Sequence, residues 1–376
     1  MRGRHRLGCY ALIAGGGTAG HVQPAIAIAR GLVARGHRKE AIEMVGSERG
    51  IEARLVPAAG FEVTLLPGRG LERRISLRNV RSVVALAVAF VRAWRLVGRK
   101  RPEVVVSVGG YASVPCAVAA ALRRVPIVVA EQNAAPGAAN RLVSRWARAC
   151  AVSFPGTPLP RAVVTGNPVR PEVAAIDRDR DAAVARARLG IGSGRRVLLV
   201  FGGSLGALRI NRAVVEALPT WAHRRDLHVR HVVGSRDWAE ITGAGSPIPP
   251  GAAVSYEAIE YDDDMPTSLA AADLAVCRSG ASTSFELLAA ALPAVLVPSP
   301  HVTADHQTAN ARYLERAGAA VVVTDAELDG PRLVAEVDAL LGDPRRLARM
   351  AACARAAAPA DAADAIAALV EEHARD

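Results

Sequence analysis

At 376 residues, with 51% apolar and 22% charged side chains, the chain is too long for one ordinary core and too apolar to stay disordered. Its net charge of +11 attracts polyanions of any kind, but aromatic residues, at 4%, are too scarce for a base-stacking platform, so no nucleic-acid partner is expected. Cys9, Cys116, Cys150, Cys277 and Cys353 are scattered without C-x-x-C spacing, which excludes a disulfide framework and a cysteine zinc site and points to a reducing compartment.

Arg2, Arg4 and Arg6 precede an apolar run at 9–14, superficially the layout of a signal peptide. The run is short and leads directly into Gly15-Gly16-Gly17, so a buried first strand is expected instead. The longest apolar run, 83–91, falls far short of the about 20 residues that span a bilayer. Further strands are predicted at 42–45, 104–108, 127–130 and 163–165, then at 197–201, 229–233, 274–277, 294–297 and 320–323. Helices lie between them, among them 24–35 and 211–218. Continuous Val/Ile/Leu strands alternating with helices predict an α/β fold with doubly wound parallel sheets.

The pattern runs twice. Each half opens with an apolar strand, a Gly-rich turn and a helix: Gly15-Gly16-Gly17-Thr18-Ala19-Gly20 in the first, Gly202-Gly203-Ser204-Leu205-Gly206 in the second. The stretch 170–194, rich in Pro, Asp, Arg and Gly, separates them. Domains are accordingly placed at 1–170 and 171–343, with an Ala-rich helical tail at 344–376 packing back across the structure. Ligands of open α/β sheets bind beyond the strands' carboxyl ends, so a cleft between the two domains is expected.

Both turns open helices, whose unpaired N–H groups and positive dipole end favour phosphate. The first matches G-x-G-x-x-G through Gly15, Gly17 and Gly20, a weak signal alone. An NAD-dependent oxidoreductase would need an acidic residue closing the second strand, and neither Glu43 nor Glu48 stands there. His21 follows the turn and serves either as a loop cap or as chemistry. Glu131-Gln132-Asn133, and the segment 136–141, follow a buried strand. Three large polar side chains in succession exceed what a turn requires.

Arg170 closes the first half, ready either for a pyrophosphate or for a surface ion pair. In the second half, Thr283 and Glu286 have capping-box spacing, so Glu286 has a purely structural reading as well. His301, Asp305 and His306 have no recurrent ligand spacing, and no metal site is expected.

The segments GGGTAGHVQPA, GGYASVP, EQNAAPGAANR, TGNPVR, GGSLGALRIN, CRSGASTSFELLAAALPAVLVP and DHQTANAR occur in that order. Together they resemble the MurG family, the undecaprenyl-pyrophosphoryl-muramyl-pentapeptide N-acetylglucosaminyltransferases of bacterial cell-wall synthesis, from about residue 11 to residue 323. The resemblance implies a GT-B architecture of two Rossmann-like domains. It also implies inverting transfer of N-acetylglucosamine from UDP-GlcNAc to an undecaprenyl-linked muramyl-pentapeptide acceptor, with neither cofactor nor catalytic metal.

Carried over by position, Thr18, Ala19 and Gly20 line the donor sugar with Asn133 nearby, and Arg170 and Ser204 approach the diphosphate. The segment 281–286, with Ala281, Ser282 and Thr283, runs along the nucleotide. Glu286 takes the ribose hydroxyls and Gln307 contacts the sugar. Asp262 stands beside the uracil, where the family often has an apolar residue, and Leu205 stands where Gln is frequent. For the base on the acceptor hydroxyl, His21 is preferred and Glu131 is the alternative.

A lipid-linked acceptor implies a peripheral protein on the cytoplasmic face of the plasma membrane. The basic, amphipathic stretch 69–101, above all 69–81, is the segment expected to meet anionic lipids. Its alternative reading is the buried face of a crossover helix. A related transferase making a glycolipid, or a UDP-sugar epimerase, shares the donor site and differs at the acceptor loops. A non-catalytic membrane scaffold has no need of Glu286 and Arg170.

Overall fold

A computed structural model describes residues 8–48, 50–67, 77–203, 205–243, 245 and 247–375. The chain divides into two compact units, 1–169 with 359–376, and 170–358.

Unit 1 runs β1 (Ala11–Gly15), α1 (Ala19–Ala34), β2 (Ile42–Ser47), α2 (Glu52–Ala58), β3 (Glu62–Leu66), α3 (Leu77–Lys100) and β4 (Val104–Gly109). It continues with α4 (Ser113–Leu122), β5 (Ile127–Glu131), α5 (Ala138–Val143), β6 (Ala149–Val152) and β7 (Ala162–Val164). The strands form one parallel sheet in the order β3-β2-β1-β4-β5-β6-β7.

β1, β2, β4, β5 and β6 are buried along their whole length, as a parallel sheet covered on both faces requires. Val22, Ile28 and Leu32 of α1 pack on one face, and Ala93 and Val97 of α3 with Cys116 and Ala120 of α4 on the other. α1 begins five residues before Pro24, where the sequence placed its start. Thr18 is its N-cap and Pro24 lies inside the helix, giving up one backbone hydrogen bond.

Unit 2 runs α6 (Pro171–Ala174), α7 (Arg178–Arg188), β8 (Arg196–Phe201), α8 (Leu208–Ala217), β9 (Leu227–Val232), α9 (Trp238–Thr242), β10 (Ser255–Ile259) and α10 (Met265–Ala271). Then come β11 (Leu274–Cys277), α11 (Ala281–Ala289), β12 (Ala294–Leu296), α12 (His306–Arg316), β13 (Ala320–Val322), α13 (Gly330–Leu341) and α14 (Pro344–Ala357). Its parallel sheet has the order β10-β9-β8-β11-β12-β13. Trp221, fully buried, packs with Leu198, Val200 and Leu340 in its core.

The helical tail divides at residue 358. α14 belongs to unit 2, whereas α15 (Ala362–His373) packs on α1, with Ile366, Ala367, Leu369 and Val370 in the core of unit 1. Arg35 donates to Asp364 (2.7 Å) and Glu371 (2.8 Å), and so ties α15 down at its rim.

Both sheets reverse their strand order once, between β1 and β4 in unit 1 and between β8 and β11 in unit 2. The crevice at such a reversal lies at the strands' carboxyl ends. Gly15 pairs with Gly109 there in unit 1. In unit 2 the corresponding turns are 202–206 and 278–280.

Candidate functional site

In unit 1, β1 ends in a turn that only glycine can make. Gly17 has φ +96, a left-handed conformation, and a side chain on Gly16 would overlap Glu52. The turn delivers Thr18 and His21 to the start of α1. Thr18 Oγ1 lies 3.1 Å from His21 Nδ1 and makes no cap bond to the helix. The other edge of the ring, Cδ2 and Nε2, lies against Gly109, where a Cβ would stand 3.2 Å from both atoms. His21 thus stands at the strand-order reversal, oriented by a hydroxyl. Gly20 is exposed beside it, and Ala19 opens α1.

Glu131, at the end of β5, is 3% exposed. Its Oε1 accepts from the Asn133 N–H (2.9 Å) and Asn133 Nδ2 (3.3 Å), and its Oε2 from the Gly137 N–H (3.0 Å) and Asn140 Nδ2 (3.0 Å). A carboxylate has about four lone-pair sites, and here four donors occupy them. Asn140 also donates to Ala130 O (3.1 Å) and accepts from Ser107 Oγ (3.0 Å), joining β4, β5 and α5. Glu131 therefore shapes the loop that carries Asn133.

In unit 2, the N-cap of α11 is Gly280, which has no side chain with which to cap the helix. The capping-box spacing of Thr283 and Glu286 is thus not used as a cap. Arg170 Nε donates instead to Glu286 Oε1 at 2.8 Å. The Glu286 side chain is 17% exposed and that of Arg170 40%, so the pair faces solvent on one side. Ala281 is buried, Ser282 and Thr283 are half-buried, and the first amides of α11 lie in the same turn.

Gln307 is held twice: Oε1 accepts from the Ser299 N–H (2.8 Å) and its carbonyl from Ser279 Oγ (2.8 Å). The fixed Oε1 sets the orientation of the amide and hence of Nε2. Just before α12, Ala304 and Asp305 have φ of +57 and +48, a conformation that costs non-glycine residues about 1–2 kcal/mol each.

Asp262 is turned inward. Its side chain is 5% exposed, and its Oδ2 lies 3.5 Å from Arg230 Nη2. Its Oδ2 accepts from Ser268 Oγ (2.5 Å) and its Oδ1 from the Asp264 N–H (3.0 Å). What solvent reaches at this position is mainly main chain. Ser204 lies outside the described residues, and Leu205 is 60% exposed.

Sequence reasoning missed the buried network behind the second glycine turn. Asn211 Nδ2 donates to Val233 O (2.9 Å) and Asp237 Oδ2 (3.1 Å), so its Oδ1 accepts from His231 Nε2 (2.9 Å). His231 Nδ1 then accepts from the Tyr256 hydroxyl (3.1 Å). Burial pushes the pKa of His231 down to about 4, keeping it neutral. The network anchors α8 beneath the turn. Among the described residues, no group of three or more His, Cys, Asp and Glu side chains is arranged to hold a metal ion.

Residues 11–152 match the glycosyltransferase family 28 N-terminal domain, and residues 197–366 its C-terminal domain. A Salinibacter ruber protein named UDP-N-acetylglucosamine–N-acetylmuramyl-(pentapeptide) pyrophosphoryl-undecaprenol N-acetylglucosamine transferase is 44% identical over 363 residues, 95% of each chain. A Clavibacter sepedonicus protein of the same name is 41% identical, covering 96% of this chain and 95% of its own. Among solved structures, Acinetobacter baumannii MurG superposes with a TM-score of 0.78 at 26% identity, over 96% of this chain and 99% of that one. A Neisseria meningitidis UDP-GlcNAc 2-epimerase bound to UDP-GlcNAc, at TM-score 0.64 and 12% identity over 96% of this chain and 99% of its own, shares the fold alone.

Proposed function

We propose the reaction from the premise that the chain belongs to glycosyltransferase family 28 and, within it, to the UDP-N-acetylglucosamine–N-acetylmuramyl-(pentapeptide) pyrophosphoryl-undecaprenol N-acetylglucosamine transferases. It is a hexosyltransferase of peptidoglycan synthesis. N-acetylglucosamine passes from UDP-GlcNAc to the 4-hydroxyl of the muramyl sugar in the undecaprenyl-pyrophosphoryl pentapeptide, converting lipid I to lipid II.

In our reading, unit 2 holds the donor, and unit 1 supplies the base and binds the acceptor. Inverting transfer is one displacement at the anomeric carbon: the acceptor hydroxyl loses its proton as the sugar–UDP bond breaks. His21 takes the proton, because Thr18 orients its ring, whereas the Glu131 carboxylate is occupied by four donors. The departing diphosphate is stabilised by Arg170, by Ser204 and the second glycine turn, and by the first amides of α11 around Ala281, Ser282 and Thr283. Glu286 accepts from the ribose hydroxyls while Arg170 holds its Oε1. Gln307 directs Nε2 to the sugar, and Thr18, Ala19, Gly20 and Asn133 of unit 1 contact the sugar as well. The inward carboxylate of Asp262 leaves its main chain for the uracil.

The single observation that carries this reading is the Arg170–Glu286 pair, which joins a cation to an acidic side chain in the second turn of α11. The peripheral membrane role rests on unit 1. Val88 and Val91 of α3 are 42% and 45% exposed, with Arg95 and Arg99 exposed on the same face, and Leu142 and Trp146 are exposed beside Arg141 and Arg145. A surface that mixes apolar insertion with positive charge suits anionic lipid. Of the stretch 69–81, residues 69–76 and the side chains of 77–81 lie outside the description. No described helix is long and apolar enough to cross a membrane.

The test is transfer of labelled N-acetylglucosamine from UDP-GlcNAc to a lipid-linked muramyl-pentapeptide, run in EDTA. Transfer with release of UDP is expected. UDP binding without transfer would move the chain to the glycolipid or epimerase readings.

A further inference from the structure

One buried carboxylate stands behind the first glycine turn and has no part in the reaction as proposed. Glu52, the first residue of α2, is 1% exposed. Its Oε1 accepts from the Gly17 N–H at 2.9 Å and from the Ser47 N–H at 3.0 Å. Its Oε2 is buried without a hydrogen-bond partner among the described residues. Three glycines, Gly16, Gly46 and Gly50, line the space around it, and a Cβ on any of them would run into the Glu52 side chain.

The seat is expensive to build, because burying a carboxylate costs several kcal/mol unless it is well bonded. A fold that needed only to join β2 to α2 could use an apolar side chain here. What the carboxylate does instead is accept from the amide of Gly17, the residue directly before Thr18. On its other side the turn is fixed by the Gly16 N–H donating to Gly109 O at 3.2 Å, and a side chain on Gly110 would strike the Gly16 carbonyl. The turn is therefore gripped between Glu52 and Gly109-Gly110. Thr18 leaves it in a fixed direction, and Thr18 Oγ1 orients His21.

We infer that Glu52 is a positioning residue for the transfer, setting the glycine turn and, through Thr18, the imidazole of His21. This rests on the reading of His21 as the base. Glu52 touches neither substrate. Removing its oxygen frees the Gly17 amide and lets Thr18 drift, and a misplacement of about 1 Å in a reacting group costs about 10²-fold in rate.

The experiment uses the full chain with Glu52→Ala, Glu52→Asp and Glu52→Gln, together with His21→Ala and the Glu52→Ala/His21→Ala double variant. Turnover, KM for UDP-GlcNAc and amide hydrogen exchange over 15–22 are measured for each. Expected are kcat losses of about 10²-fold in the Ala and Asp variants with a much smaller rise in donor KM, since in our reading unit 2 holds the nucleotide and the first turn borders only the donor sugar. Glutamine keeps an oxygen in the place of Oε1 and should restore most of the turnover. The double variant should be no slower than His21→Ala, because residues acting as one unit are not additive.

Wild-type turnover in the Ala and Asp variants would overturn the inference, as would losses that multiply in the double variant. If Glu52→Ala does not accumulate as folded protein, the contrast between Asp and Gln decides. If the wild type transfers nothing, the reading of His21 fails by itself. Amide exchange then judges Glu52: faster exchange over 15–22 in the Ala and Asp variants but not in Gln supports its grip on the turn, and equal rates refute it.

Discussion

The two glycine turns occupy equivalent places, each after the first strand of its sheet and at the reversal of strand order, yet their amides meet different partners. In unit 1 the Gly17 N–H is taken by the protein's own carboxylate, Glu52. In unit 2 the buried acid near the turn, Asp237, instead accepts from Asn211 and from Arg236 Nε. No described side chain caps α8 behind that turn. Both helices begin without a side-chain cap, so the difference lies in the Gly17 amide, and a turn already holding an internal anion fits the aiming role proposed for it. In our proposal the same motif thus serves once to present a base and once to receive a diphosphate.

Breaking unit 1 should therefore slow the chemical step, and breaking unit 2 should weaken the donor. The largest effect is expected for His21→Ala: loss of general-base catalysis lowers kcat by about 10²–10⁴-fold with KM for UDP-GlcNAc nearly unchanged. A parallel rise in donor KM would dissolve the division between the units. Glu286→Gln should mirror it, raising donor KM by about 10-fold or more, as expected when a hydrogen bond to a charged group worth about 1.5–3 kcal/mol is weakened. Calorimetric titration with UDP would show the same loss without any acceptor present.

The third expectation concerns stability. The folded pKa of His231, about 4, lies below its ordinary 6.5, so the unfolded chain binds the proton first as pH falls. Stability is full above about pH 6.5, falls between about 6.5 and 4, and levels off below; the loss from pH 7 to pH 5 is about 2 kcal/mol. Denaturant unfolding at the two pH values measures it, and His231→Gln should shrink the difference, leaving the part from His228, whose pKa burial also lowers. Smallest is the contrast between Gly203→Ala and Gly16→Ala. Gly203 has open space around it, so alanine there meets only the strain of its φ of +95, about 1–2 kcal/mol. Alanine at Gly16 also collides with Glu52, and its thermal midpoint should fall further.

Much of this was legible in the sequence. Continuous apolar strands alternating with helices gave parallel sheets, and the glycine turns marked both reversals of strand order. Three strands escaped. β3 and β10 are edge strands, half-exposed and carrying Glu62, Thr64, Ser255 and Glu257. β6, Ala149–Val152, is too small-chained for its burial to show in hydrophobicity.

At the site, local spacing misled where a distant partner decided. Thr283 and Glu286 read as a capping box, but Arg170, 116 residues earlier, holds Glu286. The four donors of Glu131, from Asn133, Gly137 and Asn140, were likewise out of reach of local spacing, and they are what favours His21 over Glu131 in our proposal. Glu52 gave no signal at all. Its meaning lies in glycines at 16, 46 and 50, which surround it only once β1 and β2 pair.

The return of α15 to unit 1 fixes an order of events during synthesis. Ile366, Ala367, Leu369 and Val370 complete a core whose other members, such as Ile13 and Ile28, lie near the start of the chain. The first unit to leave the ribosome is therefore the last to be finished. All of unit 2 is made while the outer face of α1 waits uncovered, so a nascent chain that has emerged as far as residue 358 would carry a complete second unit and an unsealed first one.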